Sequence, residues 1–408
     1  MWFKSSFTIP AVAAISFCFI GGTVPAVADI LHVPADYPTI QAGMDAAQAG
    51  DTVLVADGIY TGPGNKNLFY PGVPLTVRSE NGAESCIIDC EGVGNAFFLV
   101  LDEPPDFIID GFTIRNGNGR GGGLFIHHNC EATIRNCVIT QCTSNTGGAI
   151  LCEDGSSPTL INCVITANTA TNGGGLYIWF GSSPTLINCT ITNNIADADG
   201  GGVYLFTFGT SPSFINCTIT DNLGKRSGGG VFVLSGSPVI LNSIVWRNTG
   251  EQITDNSETL TVRYSDVEGG WPGTGNIDAD PLFLDPDNGD YHLSSGSPCI
   301  DAADNTAVPQ GIDTDLDGNP RFVDDPATKD TGNGDPPIVD MGTYEFQALS
   351  CPWDLDANGS VGATDLLALL AAWGVCDDPA NCPADFDNTN DVGTVDLLTL
   401  LANWGPCP

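Results

Sequence analysis

The feature that most constrains the fold is a repeat of about 26 residues in the middle of the chain. Asparagine recurs at steps of 26, 26, 28 and 26 residues, and the matching positions are Asn136, Asn162, Asn188, Asn216 and Asn242. Cysteine follows the first four of these asparagines, and serine follows the last. A glycine-rich triplet recurs with nearly the same spacing. A constant period of this length is typical of solenoids, in which each repeat adds one structural unit.

Each repeat holds three short runs of β-branched and aromatic residues. In one repeat these runs are Leu176–Trp179, Thr185–Ile187 and Cys189–Thr192. Runs this short, bounded by glycine, asparagine and proline, predict strands. A single coil of three strands cannot bury its own apolar face, so coils must stack on one another. The sequence therefore predicts an all-β fold, a parallel β-helix with three strands in each coil.

Stacking places each repeated residue ~4.8 Å from its counterparts in the neighbouring coils. The asparagine column then predicts a ladder of amide hydrogen bonds at a turn. The cysteine column is expected to point inward, as small buried thiols. Neighbouring thiols would lie within disulfide distance, so a pair such as Cys137–Cys163 is compatible with the spacing but is not required by it.

The strands that follow the glycine triplets have two faces of different character, because side chains alternate along a strand. One face is aliphatic or thiol and predicts the core, with Leu124, Ile126, Ile150, Cys152, Leu176, Ile178, Val203, Leu205, Val231 and Val233. The other face is predicted to point outward and carries aromatic rings, namely Phe125, Tyr177, Trp179, Tyr204 and Phe206.

Outward rings on successive coils would form an apolar stripe, and the C–H faces of sugars pack well on such a surface. We therefore predict a glycan-binding groove along these five aromatic residues, with polysaccharide as the partner. Two alternatives stay open. A loop could cover the stripe as a second core, or the two faces could be exchanged so that the rings lie inside.

Candidate catalytic residues lie at one end of the stripe. Glu153, Asp154 and His127, on neighbouring coils, could act as acid and base. Adjacent residues of a strand point to opposite sides, so Glu153 and Asp154 form a pair only if the strand has already ended. No catalytic motif accompanies these three residues, and the sequence alone does not decide whether the protein is an enzyme.

The charge balance restricts partners and environment. The chain of 408 residues has 49 Asp and Glu against 12 Lys and Arg, a formal net charge of −37, which disfavours nucleic acid and anionic membranes as partners. Residues 1–28 have the features of a secretory signal, and no later stretch predicts a membrane span. The protein is expected to be secreted, and to lie outside the cell or at its surface.

The N-terminal region predicts a cap for the solenoid. Residues 39–47 form an amphipathic pattern that places Ile40, Met44 and Ala47 on one face, and such a helix would cover the open end of the stack. The motifs Pro-Thr-Ile-Gln, Gly-Asp-Thr-Val and Asp-Gly-Ile-Tyr occur in residues 38–60. Together they resemble the start of right-handed parallel β-helix proteins of the pectin lyase-like superfamily. The resemblance implies a right-handed helix.

The chain divides into five predicted regions. They are a signal peptide at 1–28, a cap with irregular coils at 29–108, regular coils at 109–250, C-terminal coils with a closing segment at 251–346, and a duplicated module at 350–408. Residues 280–346 resemble the closing segment of secreted bacterial β-helix proteins that end in varied anchoring modules. Within it, Asp313, Asp315 and Asp317 precede Gly318, a pattern compatible with calcium binding or with a turn held by aspartate side chains.

Residues 351–376 and 382–407 repeat one another at an offset of 31 residues. In each copy an acidic loop precedes an amphipathic helix, and oxygen-bearing residues occupy the ligand positions of a calcium loop. The predicted Ca²⁺ ligands are Asp354, Asp356, Asn358, Ser360 and Asp365, followed by Asp385, Asp387, Thr389, Asp391 and Asp396. The second loop has Asn390 where the first has Gly359, and weaker binding is expected there.

The duplicated module resembles a dockerin, a family that binds cohesin modules on scaffold proteins. The resemblance implies calcium binding and a cohesin-like or cell-surface receptor as partner. The pairs Ala363-Thr364 and Thr394-Val395 depart from the family pattern at loop positions ten and eleven, and the flanking cysteines are unusual. These cysteines suggest bridges within each repeat, Cys351–Cys376 and Cys382–Cys407, with Cys351–Cys407 and Cys376–Cys382 as the alternative.

Three functions are compatible with these features. The leading one is a secreted or cell-surface protein that binds or presents to polysaccharide, with the C-terminal module as its attachment device. The second is a polysaccharide lyase or glycoside hydrolase that acts along the same sheet. The third is a purely structural surface protein.

Overall fold

The computed structural model describes residues 28–347, 351–355, 360–376, 382–387 and 389–406. Most of the expected signal sequence lies outside the described residues, and so do Asp356, Asn358 and Cys407. Among the described helices, none combines the length and the apolar character needed to cross a membrane.

Residues 30–267 wind into a parallel β-helix whose coils contribute strands to three sheets. In this described part, sheet 1 has ten strands: Ile30–Val33, Thr52–Val55, Thr76–Ser79, Ile108–Asp110, Thr133–Arg135, Thr159–Ile161, Thr185–Ile187, Ser213–Ile215, Val239–Leu241 and Thr261–Arg263. Sheet 2 has nine: Gly58–Tyr60, Cys86–Asp89, Thr113–Arg115, Val138–Thr140, Val164–Thr166, Thr190–Thr192, Thr218–Thr220, Ile244–Trp246 and Asp266–Val267. Sheet 3 has eight: Leu68–Phe69, Phe97–Leu99, Leu124–Ile126, Ile150–Cys152, Leu176–Trp179, Val203–Phe206, Val231–Ser235 and Ile253–Asp255.

The coils stack in register because the repeat has an almost constant length. Thr133, Thr159, Thr185 and Ser213 are successive partners in sheet 1. Between sheet 2 and sheet 3 the regular coils add a short strand to a fourth sheet: Thr143–Thr146, Thr169–Asn172, Ile195–Ala196 and Leu223–Gly224. Aliphatic side chains from all three main sheets fill the interior without solvent exposure. The predicted stack of three-strand coils is confirmed.

The asparagine column forms the predicted ladder at the turn between sheet 1 and sheet 2. Each of its five asparagines has a positive φ of 51 to 53°, a left-handed conformation that asparagine tolerates. Asn162 donates to Asn136 (3.4 Å), and Asn188 donates to Asn162 (3.1 Å). Among the described residues no hydrogen bond joins the side chains of Asn188 and Asn216, because the closing segment intervenes there.

A second asparagine ladder, which our sequence analysis missed, lies inside the helix after sheet 2. Its members are Asn168, Asn194, Asn222 and Asn248, all nearly or fully buried. Each amide nitrogen donates to the oxygen of the next asparagine at 3.0 Å. Each also donates to a main-chain carbonyl of the preceding coil at 2.8 or 2.9 Å. The side chain of Gln252 accepts the last of these bonds and ends the ladder.

The cysteine column points into the core, as predicted. Cys137, Cys163, Cys189 and Cys217 are buried and are free thiols. Serine continues the column at Ser243, whose hydroxyl accepts from the backbone of Cys217 at 3.0 Å. Burial raises the pKa of the Cys137 thiol, so these side chains behave as small core residues.

The N-terminal cap helix spans Ile40–Ala46, and the side chain of Thr39 caps it by accepting from the backbone of Ala42 at 3.2 Å. Ile40 and Met44 are fully buried, as expected for the apolar face. A Cβ atom on Gly43 would lie only 2.9 Å from the side chain of Val53, so glycine allows the helix to contact the first strands of sheet 1 closely.

The closing segment folds back over the outer surface of sheet 2. It contains the antiparallel hairpin Phe283–Asp285 and Asp290–Leu293, and the short 3₁₀ turns Pro286–Asn288 and Asn305–Ala307. The backbone of Gly342 donates to the Asn242 carbonyl (2.8 Å), and that of Thr343 donates to the Thr218 hydroxyl (3.1 Å). Because of this cover, the outward threonines of sheet 2 at residues 190, 192, 218 and 220 are buried.

The aspartates of the Asp313–Gly318 loop hold a turn. Asp315 Oδ1 accepts from the backbone of Asp317 (3.0 Å) and of Asn319 (2.9 Å), and its Oδ2 accepts from the backbone of Glu345 (3.1 Å). Asp317 instead contacts His292. These bonds match the aspartate-turn interpretation of the motif.

The duplicated module exchanges short strands between its two repeats. Ser360–Val361 of the first repeat pairs with Gly405–Pro406, and Gly374–Val375 pairs with Asp391–Val392 of the second. The two helices span Ala363–Ala371 and Thr394–Ala402. The buried side chains of this small core are Val361, Leu369, Cys376, Ala384, Val392 and Leu400.

We predict that Asn194→Ala lowers the free energy of unfolding by about 2–4 kcal/mol, because it orphans buried partners on two coils. Denaturant unfolding of the protein checks this value. The matched control is Asn145→Ala, at an exposed residue of the fourth sheet, which should change the free energy of unfolding by less than about 0.5 kcal/mol. Equal effects from the two variants would contradict the structural importance of the buried ladder.

His292 should make stability depend on pH. Its Nδ1 lies 2.6 Å from Asp290 and its Nε2 lies 2.8 Å from Asp317, while its ring stacks on Tyr344. Burial lowers the pKa of His292, but its bonds to the two carboxylates outweigh burial and raise the pKa overall.

A raised folded-state pKa stabilises the protein below the unfolded pKa of about 6.5, and this contribution is lost as pH rises through the folded pKa. We expect His292→Gln to lower the thermal midpoint more at pH 5.5 than at pH 9. His32→Gln is the control, because the side chain of His32 makes no ion pair among the described residues. An effect of His292→Gln that does not vary with pH would contradict this account.

Candidate functional site

The outer face of sheet 3 carries the predicted aromatic residues. The opposite face is the core, since Leu124, Ile126, Leu176 and Ile178 are at most 1% exposed. The sheet therefore has the predicted orientation, and the alternative with exchanged faces is wrong. Phe232, on the same outward face, and Phe98, which was not predicted, extend the aromatic row at its two ends.

The central rings of the row stack on one another along the helix axis. The rings of Tyr177 and Tyr204 are 4.7 Å apart and nearly parallel, and Tyr204 and Phe232 are 5.1 Å apart. Because their faces are in mutual contact, only the ring edges are left for solvent. Tyr204 is accordingly only 8% exposed, and Phe125, which contacts the edge-on ring of Phe98 and the guanidinium of Arg120, is only 7% exposed. The middle of the row is therefore more closed than a flat stripe of open ring faces.

Accessible rings lie at the carboxyl ends of the strands. Trp179 and Phe206, which are register partners, are half-buried, and the nearby Phe180 and Phe208 are exposed. The sequence analysis did not select Phe180 and Phe208, because they follow the strands and belong to no repeated column. After Leu205 the register shifts, so that Phe206 pairs with Ser235 and the row changes character in the next coil.

A charged cluster lies on the two coils before Trp179. The guanidinium of Arg120 binds Glu153 through two contacts of 2.7 and 2.9 Å and lies 4.8 Å from the centre of the Phe125 ring. The Glu153 side chain is only 5% exposed, whereas that of Arg120 is 59% exposed. Arg120 was not predicted, because it lies in the loop before the glycine triplet, far from Glu153 in sequence.

The three candidate catalytic residues are brought together. The strand ends at Cys152, and Asp154 has a left-handed φ of 57°, so Glu153 and Asp154 both face His127. His127 Nε2 lies 3.5 Å from Asp154 Oδ2 and 3.9 Å from Glu153 Oε1. His128 Nδ1 also lies 3.5 Å from Asp154. Glu153 and Asp154 were expected to form a pair only if the strand had already ended, and this condition is met.

The cluster can donate and accept hydrogen bonds, but neither of its carboxylates is free for catalysis. Glu153 is neutralised by Arg120, and Asp154 lies between two histidines. A glycosidase of the two-carboxylate type needs one carboxylic acid and one free carboxylate across the scissile bond. The arrangement is suited to binding hydroxyl or carboxylate groups beside aromatic rings.

The second loop of the C-terminal module gathers carboxylates. Asp385, Asp387 and Asp396 each offer an oxygen, and these atoms lie within 4.8 Å of one another. Asp396 is buried, and its oxygens accept from the backbone of Phe386 and Gly393 at 2.7 Å. Thr389 and Asp391 lie on the same loop, and Asn390 has a φ of 66°. An oxygen-only donor set of this kind has the chemistry that calcium prefers.

The first loop has the same arrangement where it is described. Asp365 is buried and accepts from the backbone of Leu355 and Gly362 at 2.7 Å, as Asp396 does in the second loop. Asp354 and Ser360 belong to the described residues, whereas the predicted ligands Asp356 and Asn358 lie outside them.

The suggested disulfides within each repeat are wrong. Cys376 is instead bonded to Cys382, as in the alternative pairing, with 6.0 Å between their Cα atoms. The pairing of Gly374–Val375 with Asp391–Val392 brings the end of the first repeat to the second repeat. The bridge therefore joins the two repeats. Cys351 is disulfide-bonded as well.

Comparisons with known proteins agree with the fold. The family model for the right handed beta helix region matches residues 99–267, within the stacked coils. No curated protein matches the sequence. The chain thus has a right-handed β-helix, as predicted.

Three solved structures resemble it. Pectate lyase Pel9A has 16% identity and a TM-score of 0.49, covering 78% of this chain and 96% of its own. A pectin methylesterase from Aspergillus niger has 16% identity and a TM-score of 0.40, covering 71% and 96%. The rice weevil pectin methyl esterase has 12% identity and a TM-score of 0.30, covering 67% and 83%. At these values the three structures say nothing about the activity of this chain.

Proposed function

We propose that this chain is a secreted or cell-surface protein that binds polysaccharide along the carboxyl edge of sheet 3. The observation that carries the proposal is one row on four neighbouring coils, formed by His127, Glu153, Trp179 and Phe206. Trp179 and Phe206 are partners in the sheet, and Glu153 and His127 follow the partnered strands of the two preceding coils. With ~4.8 Å between coils, the row spans roughly 14 Å.

The row has the two kinds of contact that a sugar chain needs. Half-buried rings can pack against the apolar C–H faces of the sugars. The neighbouring Arg120, Glu153, His127 and Asp154 can exchange hydrogen bonds with hydroxyl groups, and the exposed guanidinium can pair with an acidic sugar. Since Tyr204 and Phe125 are buried, they support the accessible rings.

The C-terminal module is proposed as a calcium-dependent attachment device. Its two loops carry oxygen ligands at calcium-loop spacing, and the carboxylates of the second loop converge. Calcium held there would neutralise the loops and fix the helices that follow. A cohesin-like module or another cell-surface receptor is the proposed partner.

We predict that Trp179→Ala reduces retention on a polysaccharide at least about 10-fold, with little change in the thermal midpoint, because the ring is accessible. The assay incubates the mature protein with neutral and acidic polysaccharides and measures both retention and new chain ends. Trp373→Ala, at an exposed tryptophan of the C-terminal module, is the matched control. Unchanged retention, or an equal loss in the control, would refute the proposed site.

The same assay tests the alternative that the protein is a lyase or hydrolase. The convergence of Glu153 and Asp154 on His127 favours this alternative. New chain ends that disappear in Glu153→Gln would replace the binding function by an enzymatic one. Retention without new ends would exclude cleavage of the polymers tested.

We predict that Asp365→Asn weakens calcium binding by the module more than Asp396→Asn does, because the first loop has glycine at position six and should bind more tightly. Calorimetric titration of the full chain with Ca²⁺ measures both effects. Asp391→Asn is the control, since position seven donates its backbone carbonyl and the substitution keeps that atom. Equal binding by all variants would rule out calcium in these loops.

A further inference from the structure

Three aspartates of the closing segment converge at a place unrelated to the calcium loops of the C-terminal module. They are Asp301, Asp324 and Asp330. One carboxylate oxygen from each lies within 4.8 Å of the other two. Asp301 is fully buried, whereas Asp324 and Asp330 are exposed, so the cluster opens to solvent on one side.

Asp301 lacks the partners that a buried carboxylate normally has. Its Oδ2 accepts a 3.3 Å hydrogen bond from the backbone of Asp325, but its Oδ1 has no hydrogen-bond partner among the described residues. Leaving such an oxygen unpaired in the interior is costly, and a buried charge is normally paired or bound to a metal.

The cluster also lacks a neutralising cation. In the described part of the chain, no lysine, arginine or histidine nitrogen lies within 4 Å of these three carboxylates. Three carboxylates are thus held together without the charge that would favour their approach.

The surrounding loop is held by bonds that do not use the carboxylates of Asp324 and Asp330. Asp325 holds the turn, because its carboxylate accepts from the backbone of Ala327 (3.2 Å) and from the hydroxyl of Thr328 (2.6 Å). The backbone of Thr331 and of Gly332 donates to the Asp301 carbonyl (2.9 and 3.1 Å). The carboxylates of Asp324 and Asp330 are consequently left facing Asp301, not used as turn caps.

We propose that Asp301, Asp324 and Asp330 form a calcium-binding site in the closing segment. The donor set contains only oxygen, which disfavours zinc and copper and suits a hard cation. Calcium accepts six to eight oxygens in flexible geometry, so water on the open side can complete the shell. The ion would pair the orphaned oxygen of Asp301 and join the 324–330 loop to the turn at 299–301.

Calcium titration of the full chain tests the site in a background without the module's sites. Asp365→Asn combined with Asp396→Asn removes the position-twelve ligands of both module loops. We expect this double variant still to bind about one Ca²⁺ and to unfold at a higher temperature with calcium than with chelator. Adding Asp324→Asn and Asp330→Asn should weaken the remaining binding at least about 10-fold and abolish the thermal shift.

The exposed Asp335→Asn, added to the same background, is the matched control and should keep both binding and thermal shift. In chelator, the variant with Asp324→Asn and Asp330→Asn should unfold at a higher temperature than its parent, because the repulsion around Asp301 is removed. If the folded double variant binds no calcium, the site in the closing segment is refuted. The separate proposal that the module's two loops bind calcium is not affected by that result. Binding that survives Asp324→Asn and Asp330→Asn would refute the site in the closing segment as well.

Discussion

The rest of the structure depends on the register between successive coils. Each coil satisfies the backbone groups of its neighbours, and only a near-constant repeat length keeps equivalent residues above one another. The two asparagine ladders apply the same constraint to side chains. The buried amide groups of Asn194 and Asn222 each donate to the asparagine side chain of the next coil and to a main-chain carbonyl of the preceding coil. Three coils are thereby joined at one turn, and the outer surface inherits the same spacing.

Repetition made the coils predictable, because a pattern that occurs five times shows both the length of the repeat and which side chains point into the core. The buried ladder followed the same steps and could have been found from Asn168, Asn194, Asn222 and Asn248, but polar residues at turns are ordinarily assigned to the surface. Features that depend on contacts distant in sequence were not accessible. The choice between the two predicted disulfide pairings depends on strand exchange between the repeats, which brings Cys376 to Cys382, and the Arg120–Glu153 pair joins side chains 33 residues apart.

The candidate site shows how stacking limits what a solenoid surface can offer. Rings in the middle of a strand stack on their counterparts in neighbouring coils, so their faces contact one another, as those of Tyr177 and Tyr204 do. Only where strands end is there room for a ring such as Trp179 to stay accessible or for Glu153 and Asp154 to turn toward one histidine. Variation in the outer surface of this solenoid is therefore concentrated at strand ends, where the repeat is least strict.

The return of the closing segment over sheet 2 also determines where tension would enter the solenoid. Gly342 and Thr343 are bonded to residues of interior coils at 242 and 218, and not only to the last coil. A pull on the chain from its C-terminal side first meets these contacts, so it is distributed over several coils in shear. Unwinding from the last coil would first have to break these contacts with interior coils, so the terminal coils stay closed until the closing segment is released.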